Sequence, residues 1–507
     1  MKACSRAGTM SSLWGLSVHP KDLLSLVFRF LPKLLGIPPT LLKKFQKDEY
    51  AQTQAVELER VMSTLLELPN DVLMFIFATL DIPDLIRAGS VCSTWHTAYT
   101  SLRDPRMYKH SETPCLFYTS ESAGGNVGCI YSVVDQSEYR ITLPEPPIRS
   151  RSELHLVNPF TGEQVALPSV ITIEQVKPIF DESGTIHKYQ LSYYTRGKVY
   201  KEIHALNDLR EYFYYKAFVF PDPLSGSYIV VLIHNPYGQL SFARSGDDKW
   251  TWLPPNAGYK DCTYMDGLLY AVTSLGKIDA FDLSGTTVIR KVILDKVKNG
   301  SYENIYIILA PWGDLLQVWR TVDHPSHGHE NVDLPGMVNA PEQEDEDADA
   351  RENGPAARVR YITNNIVVYK VNMEVKELVK INSLPDHMLF LGHHQSLCLG
   401  AAKHQLLKAN HAYFTDDYEG LIQGFKNDTR DIGVINLENC RRTEIGPQIW
   451  PNWPCPTWIS CLHGRPRPST AVRAAASRSS IGIVFFPKEQ QDKRRKFYLH
   501  AAGCSVG

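Results

Sequence analysis

The chain has 507 residues, a formal net charge of −2, 43% hydrophobic residues and 21% charged ones. That composition excludes a wholly disordered chain, and it excludes a protein held to nucleic acid by bulk charge, leaving only a local patch to consider. The length excludes one compact core, so about two to four domains are expected.

Residues 1–62 read as a poorly ordered extension with one amphipathic helix. Leu23 to Phe45 is rich in Leu, Val and Phe, but Arg29, Lys33, Lys43 and Lys44 interrupt it. Pro32, Pro38 and Pro39 would break a spanning helix, so stable membrane insertion is not expected. No uninterrupted apolar core with a small-residue cleavage site marks a secretory signal. The basic, acid-poor start (Lys2, Arg6, Lys21, Arg29, Lys33) leaves open an organelle transit peptide or a surface-binding helix.

Residues 63–108 pack three predicted helices into a short space. Pro69 and Asn70 open the first, with Asn70 able to cap free backbone N–H groups. Val72, Leu73, Phe75, Ile76, Phe77 and Leu80 follow at three- and four-residue spacings, on more than one face. Asp81-Ile82-Pro83-Asp84 closes that helix and starts a second, with Pro83 in its first turn and Asp84 suited to the positive helix end. Ser90 is placed to cap a third segment, Val91 to Tyr99, anchored by Trp95. So small a bundle cannot hide both greasy faces inside itself, and one face is expected to meet another protein.

From residue 109 to 463 the texture is β. Cys262 to Met265, then Asp266-Gly267, then Leu268 to Val272 is a strong hairpin signal, because tight hairpin turns need positive φ. Ile278 to Leu283 extends it to a three-stranded meander. Leu154 to Val157 with Val165 to Leu167, Tyr228 to His234 with a turn at Asn235-Pro236-Tyr237-Gly238, Ile305 to Leu309, Leu315 to Thr321, Arg360 to Val371, Val375 to Ile381, Met388 to Leu391 and Ile432 to Leu437 continue the pattern. Meanders repeated at roughly 40–60 residues suggest radial blades of a β-propeller. Six blades fit the length best and seven also fit; a β-sandwich pair is the competing architecture.

Two segments stand outside that body. Residues 323–358 carry Pro, Gly and an acidic run (Glu342, Glu344, Asp345, Glu346, Asp347, Asp349), read as a solvated loop insertion or an interaction tail. Residues 464–507 form a basic tail with Lys493-Arg494-Arg495-Lys496, a nuclear address or simply a charged end. The apolar strand Ile481 to Phe486 inside that tail has no evident place in the propeller.

Residues Leu68-Pro69, Asp71, Leu73, Ile76, Leu80, Leu85, Val91, Cys92 and Trp95, in continuous order, resemble the F-box, by which substrate receptors dock onto the Skp-type adaptor of cullin–RING ubiquitin ligases. The resemblance assigns adaptor contact to Leu68, Pro69, Leu73, Ile76, Leu80, Leu85, Val91 and Trp95. Cys92-Ser93-Thr94 departs from it, because a basic residue often precedes the Trp. A second stretch is similar to a plant-specific domain found behind F-boxes. It is carried by Leu389-Phe390-Leu391-Gly392, Asn410 to Asp417, Gly433-Val434 and Pro451 to Trp458, together with Leu154 to Gly162. The resemblance implies a β-propeller that holds a ubiquitination target. Its contact residues are not encoded in a motif, so none transfers to this chain.

Catalytic motifs are missing: there is no Gly-Lys-Ser/Thr phosphate loop, no His-Glu-x-x-His and no Gly-x-Ser-x-Gly. His324, His327 and His329 cluster in the polar insertion, without a rigid surround for a metal. Asp416-Asp417 with Glu419 reads as a turn that needs no cation. Ten cysteines lie singly from Cys4 to Cys504 with no C-x-x-C pair, which suits reduced thiols in an intracellular protein.

The expectation is an α+β multidomain chain, a small three-helix F-box followed by an all-β propeller. It would act as the non-catalytic substrate receptor of an SCF-type ligase in the cytoplasm and/or nucleus. Expected partners are the Skp-type adaptor, through it the cullin–RING ligase, and an unknown target protein; no nucleic acid, cofactor or metal is expected. The alternative is a β-propeller binding module or enzyme acting outside a ubiquitin ligase, in an organelle or elsewhere. Convergent carboxylates or a bound cation in the central channel would favour it.

Overall fold

The computed structural model describes residues 68–78, 80, 85, 88–89 and 92–102, most of 113–459, and strands 481–486 and 497–502. Within 113–459 the description breaks at 120–126, 144–153, 158–163, 207–211, 223–226, 298–303, 324–361, 418–429, 447–449 and 451–455, and at residues 135, 196, 266, 286, 296, 394 and 405. The extension 1–62, Val91, Asp266, the acidic insertion with His324, His327 and His329, Glu419 and the basic cluster 493–496 therefore lie outside the described residues.

Two helices are described in the first module, α1 (Asn70–Phe77) and α2 (Ser93–Leu102), with helical backbone also at Leu85, Ala88 and Gly89. Pro69 occupies the cap position of α1 and no side chain caps it. Asn70, expected to cap, is instead the first helical residue, and its Nδ2 lies 3.4 Å from the Met74 sulfur. The reason is local: Pro69 fixes its own φ and lacks an N–H, which suits it to the boundary and moves Asn70 one position inward.

Apart from single 3-10 turns at Val170–Thr172 and Ala401–Lys403, the remaining regular structure is strand, arranged in seven sheets among the described residues. Sheet I orders 457–459, 115–119, 127–132 and 137–142, and its register pairs Cys115 with Ile459, joining distant parts of the chain. Sheet II orders 497–502, 481–486, 155–157 and 164–166. The strand without a place in the sequence reading thus pairs antiparallel with His155–Val157. Sheet III is three-stranded, 176–180, 186–195 and 198–205. Sheet IV orders 251–253, 239–244, 227–234 and 214–222; sheet V runs 259–265, 268–273, 278–282 and 289–294. Sheet VI runs 304–309, 315–323, 362–372 and 377–381. Sheet VII orders 397–400, 387–391, 411–414, 433–436 and 442–444, with 389–391 parallel to 412–414.

The predicted hairpin forms in sheet V, where Gly267 turns at φ 84° between Met265 and Leu268, and 289–294 adds a fourth strand to the expected three. At the turn of sheet IV, Gly238 sits at φ 58°, and a Cβ there would lie 2.5 Å from the Tyr259 carbonyl oxygen. Glycine is therefore required for sheets IV and V to approach.

Apolar clusters link these sheets in a circuit. Phe117 and Ile130 of sheet I meet Val157 of sheet II. Leu156 of sheet II shares a cluster with Ala217 and Val230 of sheet IV, and there Tyr189 and Leu191 of sheet III join them. Val231 packs with Cys262 and Leu269 of sheet V, and Val272 with Ile305 of sheet VI. Val318 packs with Leu389 of sheet VII. Phe390 then returns to sheet I through Trp458, ring centroids 5.1 Å apart. The edge strands 457–459, 497–502, 214–222, 259–265, 304–309 and 397–400 neighbour one another in that order.

Candidate functional site

The first module builds a core from one side of α1. Leu73 and Phe77, one turn apart, are buried with Leu80, Leu85, Ala88, Trp95, Ala98, Tyr99 and Leu102. Phe77 meets the Trp95 indole edge-on at 5.3 Å. Gly89 lets the chain pass this core, since a Cβ there would stand 2.6 Å from the Tyr99 ring.

The opposite stripe of α1 is left bare. Phe75 is 77% exposed and Val72 40% exposed, Pro69 is exposed, and Leu68 and Ile76 are half-buried. Within α1, positions 72, 75 and 76 fall on one helical stripe by their i, i+3 and i+4 spacing, whereas Leu68 precedes the helix, and Leu68 and Ile76 each also pack against the module's core. The residues matched to the F-box pattern therefore divide. Leu73, Leu80, Leu85 and Trp95 lie in the module's own core, while Leu68, Pro69 and Ile76 lie at or near its surface. Val91 falls outside the described residues. Phe75 and Val72 were not among the matched positions. The signal that could have found them is the second apolar face that α1 carries beyond the Leu73–Phe77 side.

The second concentration of chemistry is buried where the sheet edges meet. Lys216 of sheet IV is 1% exposed and donates from Nζ to the Gly392 carbonyl of sheet VII at 3.0 Å, crossing the middle of the circuit. Its Nζ is also 3.8 Å from Asp261 Oδ1 of sheet V and 5.2 Å from the Tyr306 ring centroid. Asp261 Oδ2 accepts from the Ile307 N–H at 3.1 Å and the Ser396 hydroxyl at 2.8 Å. Burial raises the Asp261 carboxyl to about 6, only partly offset by Lys216.

Beside it, Arg320 of sheet VI reaches two carboxylates of sheet VII. Nη1 donates to Asp417 Oδ1 at 3.1 Å and to the Thr415 carbonyl at 2.7 Å, and Nη2 donates to Asp431 Oδ2 at 2.9 Å. Nε donates to the Thr363 hydroxyl at 2.7 Å. Tyr306 and Asn304 also donate to Asp417, at 2.7 and 2.6 Å, and Arg442 donates to Asp431 at 2.9 Å. Burial, the largest single effect, would raise Asp417, but the Arg320 guanidinium together with Lys216, His393 and the Tyr306 hydroxyl outweighs it and holds the carboxyl below its usual range. Burial pushes His393 down to about 4, so that it is neutral at pH 7.

Carboxylates therefore converge at the centre, each matched to a cation. Asp417, read from the sequence as part of a turn that needs no cation, is buried and paired with Arg320. This network fits cross-linking of sheets better than proton transfer, because its carboxylates are already engaged by several donors. Among the described residues, no group of three or more His, Cys, Asp or Glu is placed to hold a metal ion. Nor is any described helix long and apolar enough to cross a membrane.

Comparison with known proteins agrees with this division. Residues 65–104 match the F-box-like family, and residues 114–436, more than half the chain, match the KIB1-4 beta-propeller family. The chain is 25% identical over 342 residues to "Putative F-box protein At2g33190" of Arabidopsis thaliana, covering 64% of this chain and 77% of that protein. It is 22% identical over 403 residues to "Putative F-box protein At5g55150" of the same plant, covering 76% and 95%. To "F-box protein KIB4", also of Arabidopsis thaliana, it is 24% identical over 238 residues, covering 42% and 58%. The chain is an F-box protein of plant type with a β-propeller, mostly strand with few helices. It belongs to the KIB1-4 beta-propeller family.

Proposed function

We propose that this chain is the substrate-recognition subunit of an SCF-type cullin–RING ubiquitin ligase. Its F-box would bind a Skp-type adaptor, and its propeller would hold the protein to be ubiquitinated. The observation that carries the reading is the bare stripe of α1 within a module that matches the F-box-like family, with Phe75 77% exposed. An apolar side chain that size, beside Val72, Pro69 and Ile76, suits burial by a partner. Leu68, Pro69, Ile76 and Val91 would touch the adaptor, while Leu73, Leu80, Leu85 and Trp95 would hold that face in shape from beneath. A second helix between α1 and α2 would complete a three-helix F-box, in keeping with the helical backbone at Leu85, Ala88 and Gly89.

Six blades is the propeller count we favour: sheets I, II, IV, V, VI and VII form the packing circuit, and sheet III attaches to it as an accessory. In this reading the chain itself catalyses nothing. Ubiquitin is transferred by the associated RING and conjugating subunits, and the receptor contributes proximity and orientation. The competing reading, a propeller enzyme or ligand-binding module outside a ligase, would rest on Asp261 and Asp417, both of which are engaged by cations.

Co-expression with a Skp-type adaptor and cullin tests the proposal. Full-length chain is expected to co-purify with both, and Leu68→Asp with Trp95→Ala is expected to lose both. If the wild type brings down neither, or the double variant still brings down both, the receptor reading fails.

A further inference from the structure

Sheet III is an outlier in the packing circuit. One of its faces is seated: Tyr189 and Leu191 enter the core shared by sheets II and IV, and Tyr193 stacks on Tyr237, ring centroids 5.3 Å apart. The sheet is also tied at its backbone, where Gln239 Nε2 donates to the Ser192 carbonyl at 3.3 Å and Asn256 Nδ2 to the Tyr194 carbonyl at 3.2 Å. These anchors fix it beside the turn 235–238, which meets the start of strand 214–222 through Asn235 N–H and the Phe213 carbonyl at 2.7 Å. It therefore stands on the side of the propeller where strands 214–222 and 259–265 begin, and where Lys260 lies 4.8 Å from the Tyr215 ring centroid.

The other face of sheet III is bare. Strand register places Lys177, Lys188, Lys201, Tyr194, Val199 and Ile203 on it together. Tyr194 is 54%, Val199 63% and Ile203 61% exposed, and all three lysines are exposed. Glu202, the one carboxylate in these strands, faces the opposite way, where it meets His204 at 3.2 Å. The outward face thus carries three positive charges with no negative one among apolar groups. Lysine on an edge strand can serve simply to block aggregation, but Lys188 lies on the central strand, where no edge needs guarding.

We propose that this face is where the receptor takes its target, and that the segment it takes is acidic with interspersed apolar side chains. The inference rests on the substrate-receptor reading and names its partner chemistry. Carboxylates on the target meet Lys177, Lys188 and Lys201, and its apolar groups cover Tyr194, Val199 and Ile203. A nucleic acid fits less well: the face has no Arg, and Val199 and Ile203 offer nothing to phosphate.

The test uses the full chain bound to its Skp-type adaptor and a fluorescent synthetic peptide alternating Glu or Asp with Leu or Phe. The same peptide with Ser for the apolar residues, single-stranded DNA and phosphatidylserine vesicles serve as further probes. The acidic-apolar peptide is expected to bind, more weakly as salt rises. Lys177→Glu/Lys188→Glu/Lys201→Glu, and separately Val199→Ser/Ile203→Ser, are each expected to weaken it about tenfold or more, with thermal unfolding and adaptor binding unchanged. No binding by the wild type, or equal binding by both variants, overturns the proposal. So does preferential binding of DNA or vesicles that depends on the lysines but not on Val199 and Ile203. Deletion of residues 324–360 gives the last arm: if affinity rises about tenfold or more, the chain's own acidic segment occupies the face and the proposal is overturned. Adaptor binding is read in every sample, so failure of the receptor reading is seen separately.

Discussion

Arg320 Nη2 donates to Asp431 Oδ2 at 2.9 Å, joining sheet VI to the segment that leads into strand 433–436 of sheet VII. The same guanidinium holds Asp417 at 3.1 Å. Removing the cation leaves buried carboxylates short of their main partner. Arg320→Met is therefore expected to cost about 3–5 kcal/mol of stability. Arg320→Lys should recover only part of it, because an ammonium cannot reproduce the planar fork. Urea unfolding followed by Trp fluorescence measures both. A methionine variant as stable as the wild type would show that the network does not hold these sheets together.

Lys216 and Asp261 provide a sharper case, because each is buried beside the other with Nζ and Oδ1 3.8 Å apart. Lys216→Met removes the cation that offsets the burial of Asp261, pushes that carboxyl further above its usual range and is expected to cost about 3 kcal/mol. Adding Asp261→Asn removes the stranded acid but keeps an oxygen able to accept from Ile307 and Ser396. The double variant should then be more stable than Lys216→Met alone. A strictly additive double-mutant cycle would contradict the coupling.

Burial pushes His234 down to about 4 from the ordinary 6.5, against a weaker opposing effect of the Asn235 carbonyl. Above pH 6.5 the ring is neutral in both folded and unfolded chains. As pH falls toward 4 the unfolded chain takes up a proton that the folded one refuses, so stability is lost across that window. His393 acts with the same sign, whereas Asp261, raised to about 6, acts with the opposite one. His234→Gln removes one such site and should make the stability loss between pH 7 and pH 4.5 smaller by on the order of 1 kcal/mol or more. Equally steep loss in the variant, read by urea titration at both pH values, would contradict this.

What could be read from the sequence follows the range over which each signal acts. The hairpin around Gly267 was legible because its alternation and turn lie within about fifteen residues. Leu68-Pro69, Leu73 and Trp95 were legible as a motif, but a motif does not say which members face inward. Leu73 and Phe77 turned inward on Trp95, and this left Phe75 on the outside. Sheet III escaped notice because strand 198–205 is largely exposed on both faces and lacks the alternation that marks a half-buried strand. The pairing of Ile481–Phe486 with His155–Val157, and the meeting of Lys216 with Gly392, depend on closure over long separations that leaves no local trace.

Receptor function requires that the bare stripe of α1 be an adaptor surface. Titration calorimetry of purified Skp-type adaptor into the full chain, wild type and Phe75→Asp, measures this. Phe75 is 77% exposed, so the substitution should leave thermal unfolding unchanged. The expected result is saturable binding by the wild type and at least about a hundredfold weaker binding by the variant, as for loss of an interface anchor. Equal adaptor affinity for both chains, or no binding by the wild type, would contradict it.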